Sequence, residues 1–357
     1  MTQHATQDPA HLPEYVLDSD SAGPPVPADP RPWRSRAGRV TSPLRGGRPA
    51  SLPRTASGFA AAASQRVSVC SVQAFFFFSA MMQSRTLALS TKPGASLRYS
   101  TLPASSPEHG PFSTTLFVFL NGLLLPRSSW VAAIDSLAAT RSRQQRPVPH
   151  ILTYDRYGQG DSDPDPTDDP RSPYGHDARS VVADLHRFLV EVCDSHLSTT
   201  LDHLSLVFVA NSIGCPLARL YAAEHPGRVA ACLFLDSMMA NTDFVSLFPD
   251  PDVPTTLPAG VTVDELRRAR EGYRRMFHPT VPNPEHFDRR NLPALLPEAG
   301  HPQLPAGPDG KAPYLVVVGH DPDEFAEQGE TVFPTPRLSM CSTVKEARSG
   351  FVQRYRS

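Results

Sequence analysis

The sequence predicts an α/β protein, a mostly parallel sheet wrapped by helices, from about Met81 onward. Three observations carry that expectation. Short apolar runs alternate with stretches whose apolar residues recur at helical spacing, the order of strand–helix–strand units. Leu116-Phe117-Val118-Phe119-Leu120 is continuously apolar and Leu204 to Ala210 nearly so, as strands buried on both faces are. Finally, Val207-Phe208-Val209-Ala210-Asn211-Ser212-Ile213-Gly214-Cys215-Pro216 passes from a strand pattern to a helix pattern through a serine, with a small residue two positions away on each side.

The elements follow in order. Residues 1–80 read as a disordered Pro/Arg/Ser-rich N-terminal extension, with no Asp or Glu between Asp29 and Glu108. The 39 prolines in 357 residues are about twice the usual ~5% and contribute to that reading. A basic, acid-poor stretch has the composition of an import signal, but Asp8, Glu14, Asp18 and Asp20 occupy the very start, where such signals begin. Val67 to Met82, with four consecutive phenylalanines, is shorter than the ~20 residues of a membrane span and is interrupted by Ser68, Ser71, Gln73 and Ser79. No transmembrane segment is expected. Met81-Met82 directly precede the first strand pattern, and initiation there would make 1–80 dispensable.

From there to 357 the chain reads as the folded body. Arg85–Ser90 and Ser96–Thr101 form two strands joined by a turn at Lys92-Pro93-Gly94. Strands are expected at 116–120, Ile151–Tyr154, Leu204–Ala210, Val229–Leu235 and Tyr314–Val318. Helices fall between them: Trp130, Ile134 and Leu137 mark one face, Val181, Leu185, Phe188, Leu189 and Val192 a second, and Leu217, Leu220 and Tyr221 a third. Between residues 237 and 312 the alternation stops. This proline-rich insertion carries one helix, Val263–Phe277, whose start is written as a capping box by Thr262 and Glu265. An excursion between two core strands sits over the sheet's carboxyl edge, where it can act as a lid.

Composition removes several function classes. With 34 Lys+Arg against 36 Asp+Glu, the chain has no basic surplus for nucleic acid. Five scattered cysteines offer no zinc spacing and fit a reduced, cytoplasmic setting. The acidic run Asp161, Asp163, Asp165, Asp168, Asp169 lacks the glycine and terminal glutamate of a calcium loop and contains Pro164 and Pro166, so it reads as a solvated turn. No metal or cofactor is expected.

Four motifs in order resemble the α/β-hydrolase superfamily, over roughly Met81 to Gln328. Asn121-Gly122 follows the third strand, where His-Gly is usual. Asp155-Arg156-Tyr157-Gly158-Gln159-Gly160-Asp161-Ser162 is similar to the D-x-x-G-x-G-x-S turn after the fourth. Ala210-Asn211-Ser212-Ile213-Gly214 stands at the nucleophile elbow, and Gly319-His320-Asp321-Pro322 follows the strand that presents the catalytic acid. The resemblance implies Ser212 as nucleophile and Asp321 as acid, with Asp323 or Asp236 as alternatives. The oxyanion donors it implies are the backbone N–H groups of Ile213 and of Leu123, on the Asn121-Gly122 loop. It further implies a small-molecule acyl substrate: an ester, a thioester or a related bond.

One part of the pattern is missing. The superfamily places its catalytic histidine after the acid, on a loop beyond the final strand. This sequence has no histidine after His320, and only 36 residues follow Asp321. The last strand and the His loop are therefore expected to be absent, with 329–357 an atypical tail from truncation or an altered 3′ coding end. His278 and His286 in the insertion are the remaining, weaker candidates for a base. Two functions follow. One is a serine hydrolase of the esterase or lipase kind, impaired in this chain; the other is a non-catalytic relative that binds a small apolar ligand.

Overall fold

Parallel strands with apolar residues on both faces must be covered on both sides, and the chain builds such a sheet. In this computed structural model residues 82–105, 112–197, 199–253, 257 and 260–319 are described. Contacts divide the chain at Gly58, and all described residues belong to the second unit. The proposed extension 1–80, His320, Asp321, Asp323 and the tail 329–357 lie outside the described residues.

Among the described residues seven strands form one sheet: β1 (Gln83–Ala88), β2 (Ser96–Leu102), β3 (Thr115–Leu120), β4 (His150–Tyr154), β5 (Ser205–Asn211), β6 (Val229–Leu235) and β7 (Tyr314–Val318), in the spatial order β1-β2-β4-β3-β5-β6-β7. β2 runs antiparallel to β1 and β4, and every pair from β4 to β7 is parallel. β1 starts and ends two residues earlier than its apolar pattern suggests. The Leu89 carbonyl accepts the Lys92 N–H at 2.9 Å, so Leu89 and Ser90 belong to the turn.

Two apolar layers hold helices to the sheet. Helix α1 (Val131–Arg143) seats Ile134 and Ala138, with Trp130, against Phe119, Ile151 and Val209. On the other face helix α2 (Ala178–His196) buries the stripe Val181, Leu185, Phe188, Leu189 and Val192 read from the sequence, and helix α3 (Gly214–Glu224) packs beside it. α2 begins where it does because the Asp177 carboxylate accepts the Ser180 N–H at 2.9 Å.

The insertion joins β6 to β7. Its main helix, α4 (Val263–Phe277), has both arms of the capping box: Glu265 N–H donates to Thr262 Oγ1 at 3.2 Å, and Thr262 N–H to Glu265 Oε2 at 2.9 Å. A single turn, α5 (Leu292–Leu295), follows. Among the described residues β7 is covered on one face, and Tyr314, Val316 and Val318 are exposed on the other. None of the described helices is long and apolar enough to cross a membrane.

The acidic turn departs from expectation. The Asp165 side chain is fully buried, accepting from Lys92 Nζ at 2.5 Å and Thr167 Oγ1 at 2.7 Å. Lys92 also reaches Asp184 at 2.7 Å, and His176 Nδ1 lies 3.0 Å from Asp168 Oδ2. Asp165, Asp168 and His176 place ligand-type atoms within 4.8 Å of one another. The Lys92 ammonium already supplies positive charge there, so the cluster reads as an ion-pair network.

Candidate active site

The register carries the carboxyl ends of β3, β5 and β6 to one edge: Leu120 lies beside Ala210, and Asn211 beside Leu235. Ser212 follows directly, half-buried, with φ at +50°. A left-handed backbone at a residue with a Cβ is strained by about 1–2 kcal/mol. The neighbours hold it there. Ser212 N–H donates to Leu235 O at 3.1 Å, and Ser212 O accepts from Cys215 N–H at 3.2 Å. Two glycines permit the packing: a Cβ at Gly214 would stand 2.6 Å from Leu120 O, and one at Gly122 would stand 2.7 Å from Asn211 Oδ1 and 3.5 Å from Ser212 Cβ. The chain therefore turns sharply from β5 into α3, with Ser212 at the corner.

The Ile213 and Leu123 N–H groups donate to no protein acceptor among the described residues. Ile213 stands at the N-terminus of α3, where the helix dipole favours negative charge. The Leu123 loop is held by a buried polar network that motif reading did not foresee. Arg156 donates to Asn121 O at 2.8 Å, to Gly122 O at 3.1 Å and to Glu285 Oε2 at 2.9 Å. Gln159 Nε2 donates to Gly122 O and to Glu285 Oε1, each at 2.9 Å, and Glu285 also accepts the Leu124 N–H. Asn121 bonds Tyr154 O, Gln159 and the Trp130 indole N–H. Asn121 thus shapes the loop from within the core, at 1% exposure. The DRYGQG turn was the available signal for Arg156 and Gln159; nothing local marks Glu285, 129 residues from its partner.

Ser212, Ile213 and the 122–125 loop form one wall of a cavity of about 410 Å³. Met238, Met239, Phe244 and Phe248 from the start of the insertion, with Tyr273, Met276 and Phe277 of α4, form most of the rest. Its polar side chains among the described residues, apart from Ser212, are Asp236, Ser237, Tyr273 and Arg289. Of six non-glycine residues with positive φ among the described residues, Leu124, Ser212, Asp236 and Phe244 line this cavity. Strained backbone gathered on one cavity is the pattern of a functional site.

The structure brings Asp236 into the same cavity wall as Ser212, at the end of β6 with its N–H bonded to Val318 O. Asp321 and Asp323 lie outside the described residues. His278 and His286 do not line the cavity: His278 pairs with Thr280 Oγ1, and the His286 carbonyl accepts the Gly175 N–H. No histidine among the described residues lines it. Among the described residues no cysteine takes the place of the serine there. Burial pushes the thiols of Cys193, Cys215 and Cys232 up to about 12, and none lines the cavity.

A parallel-sheet α/β protein with a strained serine between strand and helix, opening on an apolar cavity, is a recognisable class. The family model for the alpha/beta hydrolase family matches residues 117–350, and the chain belongs to that family. Solved structures similar to it include a thioesterase domain from the curacin biosynthetic pathway, with 19% identity over 44% of this chain and 46% of that one, TM-score 0.31. Others are an epoxide hydrolase from Vigna radiata, with 16% identity over 44% and 38%, TM-score 0.30, and a carboxyl esterase from Bacillus coagulans, with 13% over 48% and 47%, TM-score 0.32. The chain thus spans less than half the length of each of these three structures. No curated protein matches.

Proposed function

We propose that the chain is a serine-dependent hydrolase of an ester, thioester or related acyl bond, with Ser212 as nucleophile. The observation that carries this reading is Ser212 itself, held at φ +50° at the mouth of an apolar cavity. Ser212 Oγ gives up its proton and attacks the acyl carbon, and the N–H groups of Ile213 and Leu123 receive the developing oxyanion. The alcohol or thiol leaves with a proton as the intermediate collapses, and water then hydrolyses the acyl-serine to the free acid. One such donor is worth roughly 3–4 kcal/mol in other enzymes. A serine in this position disfavours the epoxide-hydrolase branch, which resembles this fold but uses aspartate there. The acid is Asp321, Asp323 or Asp236; Asp236 has in its favour a shared cavity wall with Ser212. The residues 237–312 serve as the lid.

No histidine among the described residues lines the cavity to act as a base for Ser212. Loss of the histidine of a triad lowers kcat by roughly 10⁶-fold in a well-studied serine protease, so turnover of p-nitrophenyl esters is expected near background. Two measurements test the reading. A fluorophosphonate should form a slow adduct mapped by mass spectrometry to Ser212 and lost in Ser212→Ala. Added imidazole should raise p-nitrophenyl acetate turnover above that of Ser212→Ala under the same buffer. Absence of both would overturn the hydrolase reading.

The absence of a histidine from the described cavity wall favours a second reading, a non-catalytic member of the family that binds a small apolar ligand. Saturable binding of such a ligand by a protein whose Ser212 remains inert would favour it.

A further inference from the structure

Among the described residues one guanidinium lines the cavity, and its structural duties leave it incomplete. Arg289 is 4% exposed and lines the cavity. Its Nη atoms are engaged with backbone: Nη1 donates to Phe277 O at 3.4 Å, and Nη2 to His278 O at 3.1 Å and Val281 O at 3.0 Å. Those bonds secure the C-terminal end of α4. Nε, however, has no acceptor, and no carboxylate among the described residues lies within 4.0 Å of the guanidinium. Glu285 and Asp288, its neighbours in sequence, are spent on Arg156 and Arg290 respectively. Burial pulls the Arg289 guanidinium below its ordinary pKa, yet arginine stays charged at neutral pH. A buried donor without an acceptor is costly, and a charged one more so.

The other cavity-lining carboxylate does not explain it. Asp236 follows the end of β6 in the wall that also holds Ser212, and no ion pair within 4.0 Å joins it to Arg289. Most of the lining is apolar, including Met238, Met239, Phe244, Leu247 and Phe248. A volume of about 410 Å³ lies in the ~300–1,000 Å³ range of small-molecule sites.

We propose that Arg289 is an anion anchor, and that the cavity takes an apolar chain bearing a carboxylate, which accepts from Arg289 Nε. This deepens the hydrolase reading by naming a substrate class, an acyl compound with a carboxylate away from the reacting bond. It also stands as a binding property should that reading fail. Lys in place of Arg would not serve equally, since the same group must hold three carbonyls and still present a donor.

The test uses octanoate and octanamide at pH 7.5, near-isosteric probes that differ in charge and resist hydrolysis, titrated calorimetrically into the full chain. A merely apolar cavity prefers the neutral amide, because the carboxylate loses more hydration. An Arg289 anchor reverses that order, and octanoate should bind about tenfold tighter or better. In Arg289→Met, checked for an intact fold by circular dichroism, the preference should vanish or invert. A crystal structure of the octanoate complex gives a second readout that needs no variant: a carboxylate oxygen about 3 Å from Arg289 Nε. Equal or weaker octanoate binding, a preference retained in Arg289→Met, or a carboxylate seated on the Ile213 and Leu123 N–H groups instead would overturn the assignment. Fluorophosphonate labelling of the wild-type protein is scored separately, so failure of the hydrolase reading and failure of the anchor are distinguishable.

Discussion

Ser212 combines a side chain with a backbone angle that side chains disfavour, and the consequence is measurable. Replacing it with glycine removes the clash behind φ +50° but adds freedom to the unfolded chain. Ser212→Gly is expected to stabilise the protein by about 1 kcal/mol while abolishing any fluorophosphonate adduct, read by urea unfolding and mass spectrometry. Gly214→Ala works in the opposite direction. Its Cβ would meet the Leu120 carbonyl at 2.6 Å, backbone that cannot rotate away, so a loss of roughly 2–3 kcal/mol is expected in the same unfolding assay. The serine, its small neighbours and the Asn121-Gly122 loop were legible in the sequence because elbow geometry restricts residue types locally. Glu285 and Arg289 were not, because their meaning comes from groups brought together by the fold. The acidic turn shows the same limit from the other side. Proline-spaced aspartates read as solvated, yet Asp165 is buried beneath Lys92, 73 residues away.

At the scale of elements, the insertion and the sheet edge are tied through one carboxylate. Glu285 receives Arg156, Gln159 and the Leu124 N–H, so a residue of the insertion sets the loop that presents Leu123. Glu285→Ala leaves the Arg156 guanidinium buried without its ion-pair partner, at an expected cost of about 3–5 kcal/mol by thermal or denaturant unfolding. Thr262→Ala has a smaller effect. It removes one arm of the capping box of α4, about 1 kcal/mol, and frays the start of the helix that supplies Tyr273, Met276 and Phe277 to the cavity. Amide exchange should quicken at the N-terminus of α4 and leave α2 unchanged. Boundaries of α4, β6 and β7 match the sequence reading, since capping chemistry and apolar runs are local signals. β1 was misplaced because a turn hydrogen bond, invisible in the apolar pattern, claims its last two apparent residues.

For the whole molecule, histidines between helices make stability depend on mild acid. His225 stacks on His186 with ring centroids 3.8 Å apart, and His186 Nδ1 is 3.0 Å from the Tyr221 hydroxyl. Burial, then His186 and Arg228, lowers the His225 pKa to about 4, and burial lowers His186 as well. The folded state therefore resists protons that the unfolded chain accepts near 6.5. The stabilisation is present above that value and is lost as pH falls from about 6.5 toward 4. Melting temperature should decline between pH 7 and pH 5, and His225→Gln should flatten that decline. The order of strands and the α/β class were legible along the chain because each strand–helix unit is written contiguously. Which side chains of β7 would remain uncovered was not, because its apolar pattern reads the same whether or not a layer lies over it. That half-bare strand has a bearing on handling the protein. Tyr314, Val316 and Val318 form an apolar row on β7, the last strand of the sheet among the described residues, the kind of surface on which like chains stack. Concentrated solutions are expected to scatter light increasingly with time, and Val316→Lys, placing a charge in the middle of the row, should keep them clear.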